Sequence, residues 1–169
     1  KIPGTLGIIQ AYSVWVDNKK MDIYPELDAK QYMKNSSIHP KLNFIYITLS
    51  DLYADLLYKL KDDSTAVLLI DTNNGHGMAE QRRLFMELLS NNCQVPVIIG
   101  RYYESLTTEY LRLHSARDIG ALFIDGLGDG IFIAAENCGP LIEVNKIAFG
   151  ILQASRTRIS KTEYISCPS

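Results

Sequence analysis

Short apolar segments recur along this 169-residue chain at intervals of roughly 22 to 34 residues, and segments with helical periodicity separate them. This spacing is that of successive βα units, in which each helix carries the chain between two parallel strands. The apolar segments lack the alternation of a half-exposed strand, which favours a parallel sheet covered on both faces. The sequence therefore predicts an α/β fold built from a parallel sheet of βα units, either a doubly wound sheet or a partial (β/α) TIM-barrel-like domain.

The residue pattern predicts five strands and several helices. The strands are expected at residues 44–48, 66–70, 96–100, 131–134 and 163–166, and the clearest helices at 51–61, 78–90 and from Pro140 to about residue 152. Residues 121–124 (ALFI) have the composition of a strand, but apolar side chains also recur at helical intervals from Thr107 onward. Composition thus favours a strand in this segment, and spacing favours a helix.

The first 43 residues depart from the repeating pattern. Residues 6–16 are apolar enough for one or two strands, whereas residues 17–43 are polar and are expected to be irregular or weakly helical. We therefore predict an irregular N-terminal segment over residues 1–43, packed on a barrel-like domain over residues 44–166.

The ends and the composition of the chain restrict its function. It starts at Lys1 without a methionine and stops at Ser169 directly after a predicted strand, so we expect an excised piece of a longer protein. Hydrophobic residues make up 47% and charged residues 21%, the balance of an ordinary globular domain. The formal net charge is −2 and no apolar run approaches the length of a membrane span. We expect neither nucleic acid nor a membrane as a partner.

Three cysteines, Cys93, Cys138 and Cys167, are spread along the chain without a Cys-x-x-Cys pair. An odd and sparse set is typical of a reduced compartment, so the expected localisation is cytoplasmic. Cys93 and Cys138 are predicted to be small buried apolar side chains.

Ligands of parallel βα folds collect beyond the carboxyl ends of the strands, where the sequence places five residues capable of chemistry. They are Asp71, His76, Arg101, Glu136 and Cys167. Residues 71–77 (DTNNGHG) precede a helix and either bind an anion at its N-terminus or form a plain turn; they match no nucleotide-binding pattern. The other histidines, His39 and His114, show no metal-ligand spacing.

Two further segments admit both a functional and a structural interpretation. Residues 126–130 (GLGDG) lack the spacing of a dinucleotide-binding loop, and they also fit a helix stop followed by a tight turn. Arg156, Arg158 and Lys161 could contact an acidic partner or form the basic last turn of a helix, where cations interact favourably with the helix dipole.

The C-terminal part of the chain carries three motifs, at residues 126–131 (GLGDGI), 150–158 (GILQASRTR) and 162–169 (TEYISCPS). In order and spacing they resemble the 4-hydroxy-3-methylbut-2-enyl diphosphate synthase family. In that family a (β/α) barrel precedes an iron–sulfur domain that begins with Cys-Pro-x-Cys, and residues 167–169 resemble the start of that domain. A long class of the family carries an additional domain, often called A*, between the two. The weaker match over residues 44–125 and the divergent residues 1–43 fit that inserted domain better than the catalytic barrel.

The resemblance has consequences for particular residues. It implies a helix over residues 107–126, because the corresponding segment of the family's barrel is helical. It implies that Cys167 is a ligand of a 4Fe-4S cluster in the full-length protein only; no cofactor is expected in the isolated chain, since one cysteine cannot hold a cluster. Where the family's barrel has an Arg-Val-Ser-Leu type strand that reaches substrate phosphates, this chain has residues 132–135 (FIAA). This chain thus lacks the arginine and the serine hydroxyl that could bind an anion at that strand end. We therefore expect no catalytic or substrate-binding residue in this chain.

For the whole protein, the resemblance implies an isoprenoid-pathway oxidoreductase. It would convert 2-C-methylerythritol 2,4-cyclodiphosphate to 4-hydroxy-3-methylbut-2-enyl diphosphate, with ferredoxin or flavodoxin as electron donor, and is expected to be a homodimer. The expected role of this chain is that of a spacer, which docks the iron–sulfur domain onto the catalytic barrel of the same chain. The isolated chain is expected to be inactive.

Two other functions remain open from the residues alone. A free-standing phosphate-binding α/β enzyme would need a concave pocket that joins four strand-end residues: Asp71, His76, Arg101 and Glu136. A pure interaction module would present a basic contact face: Arg156, Arg158 and Lys161.

Overall fold

The structure is a computed structural model that describes residues 7–34 and 38–158. Six strands form one sheet in chain order: β1 Ile8–Ala11, β2 Ile23–Asp28, β3 Asn43–Ile47, β4 Ala66–Ile70, β5 Val97–Glu104 and β6 Gly130–Glu136. Every neighbouring pair is parallel. Because the order contains no reversal, the sheet is singly wound and curls into a half-barrel. The partial-barrel prediction is confirmed, and the doubly wound alternative is wrong.

Helices follow the strands: α1 Tyr12–Trp15, α2 Ala29–Lys34, α3 Ala54–Asp62, α4 Gly77–Ser90, α5 Thr108–Ser115, α6 Ala121–Ile124 and α7 Leu141–Ala154. A 3-10 turn, Leu49–Asp51, precedes α3. A π-helical turn, Ala116–Gly120, joins α5 to α6 in one continuous helical segment. The predicted helix over residues 107–126 is thereby confirmed, and ALFI belongs to it rather than to a strand.

The structure differs most from the prediction between residues 17 and 43. Residues 23–28 form β2 and residues 29–34 form α2, so part of the segment expected to be irregular is a further βα unit. The pattern concealed β2 because Pro25 lies within it, and proline, which lacks an amide donor, is depleted in strands. The division of the chain at residue 43 stays a prediction.

The other elements lie close to their predicted positions. β5 continues to Glu104, beyond the predicted end at residue 100. The predicted strand at residues 163–166 lies outside the described residues, as does Cys167. In the part of the chain that the structure describes, no helix combines the length and the apolar character needed to cross a membrane.

The two faces of the sheet have different surroundings. On the convex face, side chains such as Ile45, Leu68 and Ile99 pack with the helices into one core and are fully buried. The concave face presents half-buried and exposed aromatic side chains: Tyr24, Phe44, Tyr46, Tyr102 and Phe132. Alternation along each strand and the strand registers put these side chains on one side. The expectation that the sheet is covered on both faces is therefore wrong for the described residues.

Residues 126–130 form a structural corner between α6 and β6. Gly128 has a φ of +91°, and a Cβ there would lie 2.7 Å from the Cδ1 atom of Ile99. The Asp129 carboxylate accepts a hydrogen bond from the Val97 amide at 2.8 Å, and the Asp129 amide donates to the Val97 carbonyl at 2.7 Å. These contacts tie the start of β6 to the start of β5. The helix ends at Gly126, whose φ is +76° and whose amide donates to the Phe123 carbonyl at 3.0 Å, as the helix-stop interpretation requires.

Candidate functional site

The carboxyl edge of the sheet is where a βα fold builds an active site. In this chain, acidic residues end or follow four of the strands: Asp28, Asp71, Glu104 and Glu136. Glu104 and Glu136 are register partners and both are exposed. Carboxylates grouped at one edge produce a negative potential, which opposes the binding of a diphosphate.

Two tyrosines of the concave face donate hydrogen bonds to these carboxylates. The Tyr46 hydroxyl donates to Asp71 Oδ2 at 3.1 Å, and the Tyr102 hydroxyl donates to Glu136 Oε2 at 2.7 Å. Burial, followed by the charge of Asp71, raises the pKa of Tyr46 to about 12. The hydrogen bond to Glu136 is the main cause that raises the pKa of Tyr102 to about 12. Both phenols therefore stay protonated at neutral pH and act as donors.

Arg101, the cation predicted at this edge, lies on the convex face of β5 and is 8% exposed. Its Nη1 atom donates to the Thr72 carbonyl at 3.1 Å and to the Asn74 carbonyl at 3.4 Å. Its Nη2 atom donates to Asp118 Oδ2 at 3.4 Å. The guanidinium thus holds the loop after β4 and does not face the concave side, where a ligand of the carboxyl edge would bind.

Asp118 is the centre of a buried polar cluster that sequence reasoning missed. It lies on the π-helical turn, is 3% exposed, and accepts hydrogen bonds from Tyr103 at 3.0 Å and Arg117 at 2.8 Å in addition to Arg101. Burial and the Asp118 charge raise the pKa of Tyr103, and the hydrogen bond to Asp118 raises that of Arg117. The sequence contained a signal of this cluster. At helical spacing, the polar residues Ser115 and Asp118 lie on the same face as Leu111 and Leu122, and polar side chains on an apolar face are expected to have buried hydrogen-bond partners.

The loop at residues 71–77 is held by its own hydrogen bonds. Thr72 Oγ1 accepts from the Asn74 amide at 3.0 Å, and Asn74 Oδ1 accepts from the His76 amide at 2.9 Å. A Cβ at Gly77 would collide with the Arg101 guanidinium and the Thr72 methyl group, so a larger residue here would have to displace the buried Arg101 side chain. These contacts favour the plain turn over an anion site.

A phosphate-binding enzyme would need Asp71, His76, Arg101 and Glu136 to line one pocket, and the structure does not bring these four side chains together. Asp71 and Glu136 lie on the concave face, each bonded to a tyrosine of another strand. Arg101 lies on the opposite face, and the exposed His76 lies immediately before α4. This arrangement does not favour a phosphate-binding catalytic site.

Cys93 and Cys138 are buried, as predicted, with 5% and 2% exposure. The Cys138 thiol donates to the Glu136 carbonyl at 3.1 Å and accepts from the Leu106 amide at 3.4 Å. Within residues 7–34 and 38–158, no three His, Cys, Asp or Glu side chains form a group that could hold a metal ion.

The basic segment after α7 takes part in ending that helix. Arg156 has a φ of +58°, and its amide donates to the Gln153 carbonyl at 3.0 Å. The Arg158 guanidinium lies 5.5 Å from the centre of the Phe149 ring. A left-handed residue that hydrogen-bonds back to the last turn is typical of a helix C-terminus. The structural interpretation is favoured for both arginines, and Lys161 lies outside the described residues.

The chain is similar to curated proteins named 4-hydroxy-3-methylbut-2-en-1-yl diphosphate synthase. It is 46% identical over 128 residues to the flavodoxin-type synthase of Parabacteroides distasonis and 34% identical over 166 residues to that of Bacteroides fragilis. These matches cover 76% and 98% of this chain, but only 21% and 26% of the relatives. The chloroplastic rice synthase, named with ferredoxin, is 38% identical over 89 residues, which are 52% of this chain and 12% of the relative.

The chain thus spans about a quarter of the length of the bacterial relatives, and the resemblance to this family is confirmed. No protein-family model matches the chain. No solved structure matches it either.

Proposed function

We propose that this chain, which matches a segment of the 4-hydroxy-3-methylbut-2-en-1-yl diphosphate synthases along most of its length, is a non-catalytic spacer domain of such an enzyme. It would be the A* domain of the long class, inserted between the catalytic barrel and the 4Fe-4S domain and holding the second against the first. The whole enzyme would be a cytoplasmic homodimer. It would reduce 2-C-methylerythritol 2,4-cyclodiphosphate to 4-hydroxy-3-methylbut-2-enyl diphosphate with electrons from flavodoxin or ferredoxin.

One observation carries the non-catalytic role. The carboxyl edge of the half-barrel bears carboxylates, while Arg101 at the same edge is buried and bonded to Asp118 and to backbone carbonyls. A diphosphate substrate needs cations or clustered amide donors, and it is repelled by carboxylates. The edge that serves catalysis in a βα barrel is thus unsuited here to the family's substrate.

The strand β6 supports the same conclusion. Phe132 lies on the concave face and is 49% exposed, and Ile133, on the convex side, packs against the core. Neither position offers a hydrogen-bond donor from its side chain. The expectation from FIAA, that this strand end lost its anion-binding chemistry, is in keeping with this placement.

Cys167 would be this chain's contribution to the cofactor. Iron–sulfur clusters are held by thiolates, and when bound the cluster supplies electrons to the substrate. The buried Cys93 and Cys138 do not fit such a site, since the Cys138 thiol is already engaged by backbone groups. The remaining ligands would belong to the domain that starts at residues 167–169.

The first experiment tests the ligand assignment in the full-length enzyme with three variants: Cys93→Ser, Cys138→Ser and Cys167→Ser. Cys167→Ser should remove most of the iron and nearly all turnover, because a hydroxyl is too weakly acidic to replace a thiolate. The other two should keep both, with a stability loss of about 1–2 kcal/mol. Wild-type iron and turnover in Cys167→Ser would contradict the assignment.

The second experiment tests the spacer role directly. Asp71→Asn and Glu136→Gln in the full-length enzyme should leave kcat/KM within about twofold of wild type, because neither side chain would contact substrate. A fall of a hundredfold or more in either variant, with unchanged iron content, would place a second catalytic site in this domain.

A further inference from the structure

An apolar groove runs along the outer surface of the half-barrel, between the continuous helical segment α5–α6 and helix α7. It has a volume of about 520 Å³ and its lining is mostly apolar. One wall is formed by every fourth residue of the segment α5–α6: Arg112, Ala116, Gly120 and Ile124. Helix α7 forms the opposite wall with Ile147 and Gly150. From Arg112 to Ile124 the first wall rises through twelve residue-to-residue steps, or about 18 Å, which is the length of a helix of three to four turns.

None of the described residues fills this groove. Ile124 is 74% exposed, although a large aliphatic side chain gains from burial. A Cβ built on Gly150 meets no atom within 4 Å. An open apolar surface of this kind marks a place where another element packs.

The charges on the rim indicate what that element carries. Arg112 is exposed and forms no ion pair among the described residues. Lys146, on the other rim, pairs with Glu143 at 2.7 Å within α7. The rim therefore has a net positive charge, whereas the carboxyl edge of the sheet is acidic. An element with carboxylates beside an apolar stripe would be attracted to the groove and repelled from that edge.

We propose that this groove docks an amphipathic helix, with an apolar stripe flanked by carboxylates, from a neighbouring domain of the same parent chain. Helix-in-groove packing uses such an apolar stripe, and the length of the groove suits it. About three quarters of each bacterial relative lies outside the part that this chain matches. A helix tethered in the same chain has a high effective concentration, so a groove of this size suffices to hold it. The inference rests on the proposed function, since it names the surface through which the spacer is docked.

Thiol labelling in the full-length enzyme tests the proposal. Ile124→Cys places a thiol in the groove, and Leu89→Cys, at a residue that is 58% exposed on α4, is the matched control. Each labelling rate is compared with the rate of the same variant unfolded in urea. The signal of the wild-type full-length enzyme, which reports its native cysteines, is subtracted first. The thiol at position 124 should react at least tenfold more slowly in the folded enzyme than the thiol at position 89.

A blocking variant makes the test specific for the groove. Gly150→Phe has room for its side chain in this domain and removes a glycine from a helix, so the fold should be kept. The phenyl ring would occupy the groove and displace the docked helix. Adding it to Ile124→Cys should therefore restore labelling to within about threefold of the rate at position 89. Met86→Phe, an added ring on the exposed side of α4, should leave position 124 protected.

Three results would overturn the proposal. The first is equal labelling at positions 124 and 89 in the folded enzyme. The second is protection that disappears on twentyfold dilution, because a second copy would then be the occupant. The third is protection that appears only when another protein is added. If the groove is open while Asp71→Asn and Glu136→Gln remain active and Cys167→Ser loses its iron, the docking inference fails and the proposed function stands.

Discussion

The convex and concave faces of this sheet are built from alternate residues of the same strands, yet they differ in almost every physical respect. On the convex side, Ile45, Leu68 and Ile99 are fully buried against the helices. On the concave side, Tyr102 and Phe132 are about half exposed. In a closed barrel both faces would be covered, since the interior is filled by side chains. The half-barrel therefore draws most of its stability from the convex face, although Leu69 on the concave side is also buried.

The difference assigns separate tasks to neighbouring residues. The convex face supplies the packed core and the buried ion pair between Arg101 and Asp118. The concave face and its carboxyl edge carry polar contacts that are solvated, such as the bond between Tyr102 and Glu136. Substitutions on the two faces should consequently have effects of very different size.

The largest effect is expected at the buried ion pair. Asp118→Ala leaves the Arg101 guanidinium buried without its carboxylate partner, so the free energy of unfolding should fall by about 4 kcal/mol. Urea denaturation of the chain measures this loss. Glu136→Ala on the concave edge is the control and should cost less than about 1 kcal/mol. Equal losses in the two variants would remove the distinction between the faces.

The next effect compares two adjacent residues of β4. Leu68→Ala deletes a fully buried side chain of the convex core and should cost about 3 kcal/mol. Val67→Ala, one residue earlier and half-buried on the concave face, should cost about 1 kcal/mol or less. Thermal and urea unfolding of both variants would measure the ratio. A larger loss from Val67→Ala would mean that the concave face is packed.

A smaller effect depends on pH and concerns the amino edge of the sheet. Burial alone would raise the pKa of Asp63, but hydrogen bonds from Thr65 and Tyr32 outweigh it and lower that pKa. A lowered folded-state pKa contributes stability that is present above the unfolded pKa and is lost as pH falls through the folded pKa. Stability measured as pH falls from 6 to below 3 should therefore decline more steeply in wild type than in Asp63→Asn, because only the wild-type side chain must take up a proton. Parallel pH profiles would contradict this assignment.

The smallest effect is expected in the middle of the concave face. Phe132→Ser removes an aromatic ring that is 49% exposed and should change the free energy of unfolding of the chain by no more than about 1 kcal/mol. The same variant in the full-length enzyme reports whether another domain covers this face. A loss above about 2 kcal/mol in the chain alone would show that the ring is buried there.

Sequence patterns predicted the elements whose local signals agree with the fold. β4 and α4 have continuous apolar or helical spacing, and both lie where they were expected. β2 was missed because Pro25 and its polar neighbours mask a strand whose burial is imposed by β1 and β3. The strand conformation of residues 23–28 therefore depends on pairing with β1 and β3 more than on the strand preferences of its own residues.

The site was harder to predict than the fold, because strand position alone does not determine which face a side chain occupies. Arg101 and Glu136 both end up near the carboxyl edge, as expected, but β5 directs Arg101 to the convex face. Its partner Asp118 comes from a helix seventeen residues later, and no strand-end rule selects it. The resemblance in the C-terminal motifs identified the family, while the burial of Arg101 needed the structure.

The sequential strand order also determines how the chain is able to fold. Register partners are separated by 15 residues between Ile8 and Ile23 and by 32 residues between Ile98 and Gly130. Loop-closure entropy rises only slowly over this range, so each added unit meets a similar barrier. In the described sheet, each strand pairs only with the strands immediately before and after it in the sequence. During translation the sheet can therefore grow one strand at a time, each new strand pairing with an edge that the ribosome has already released.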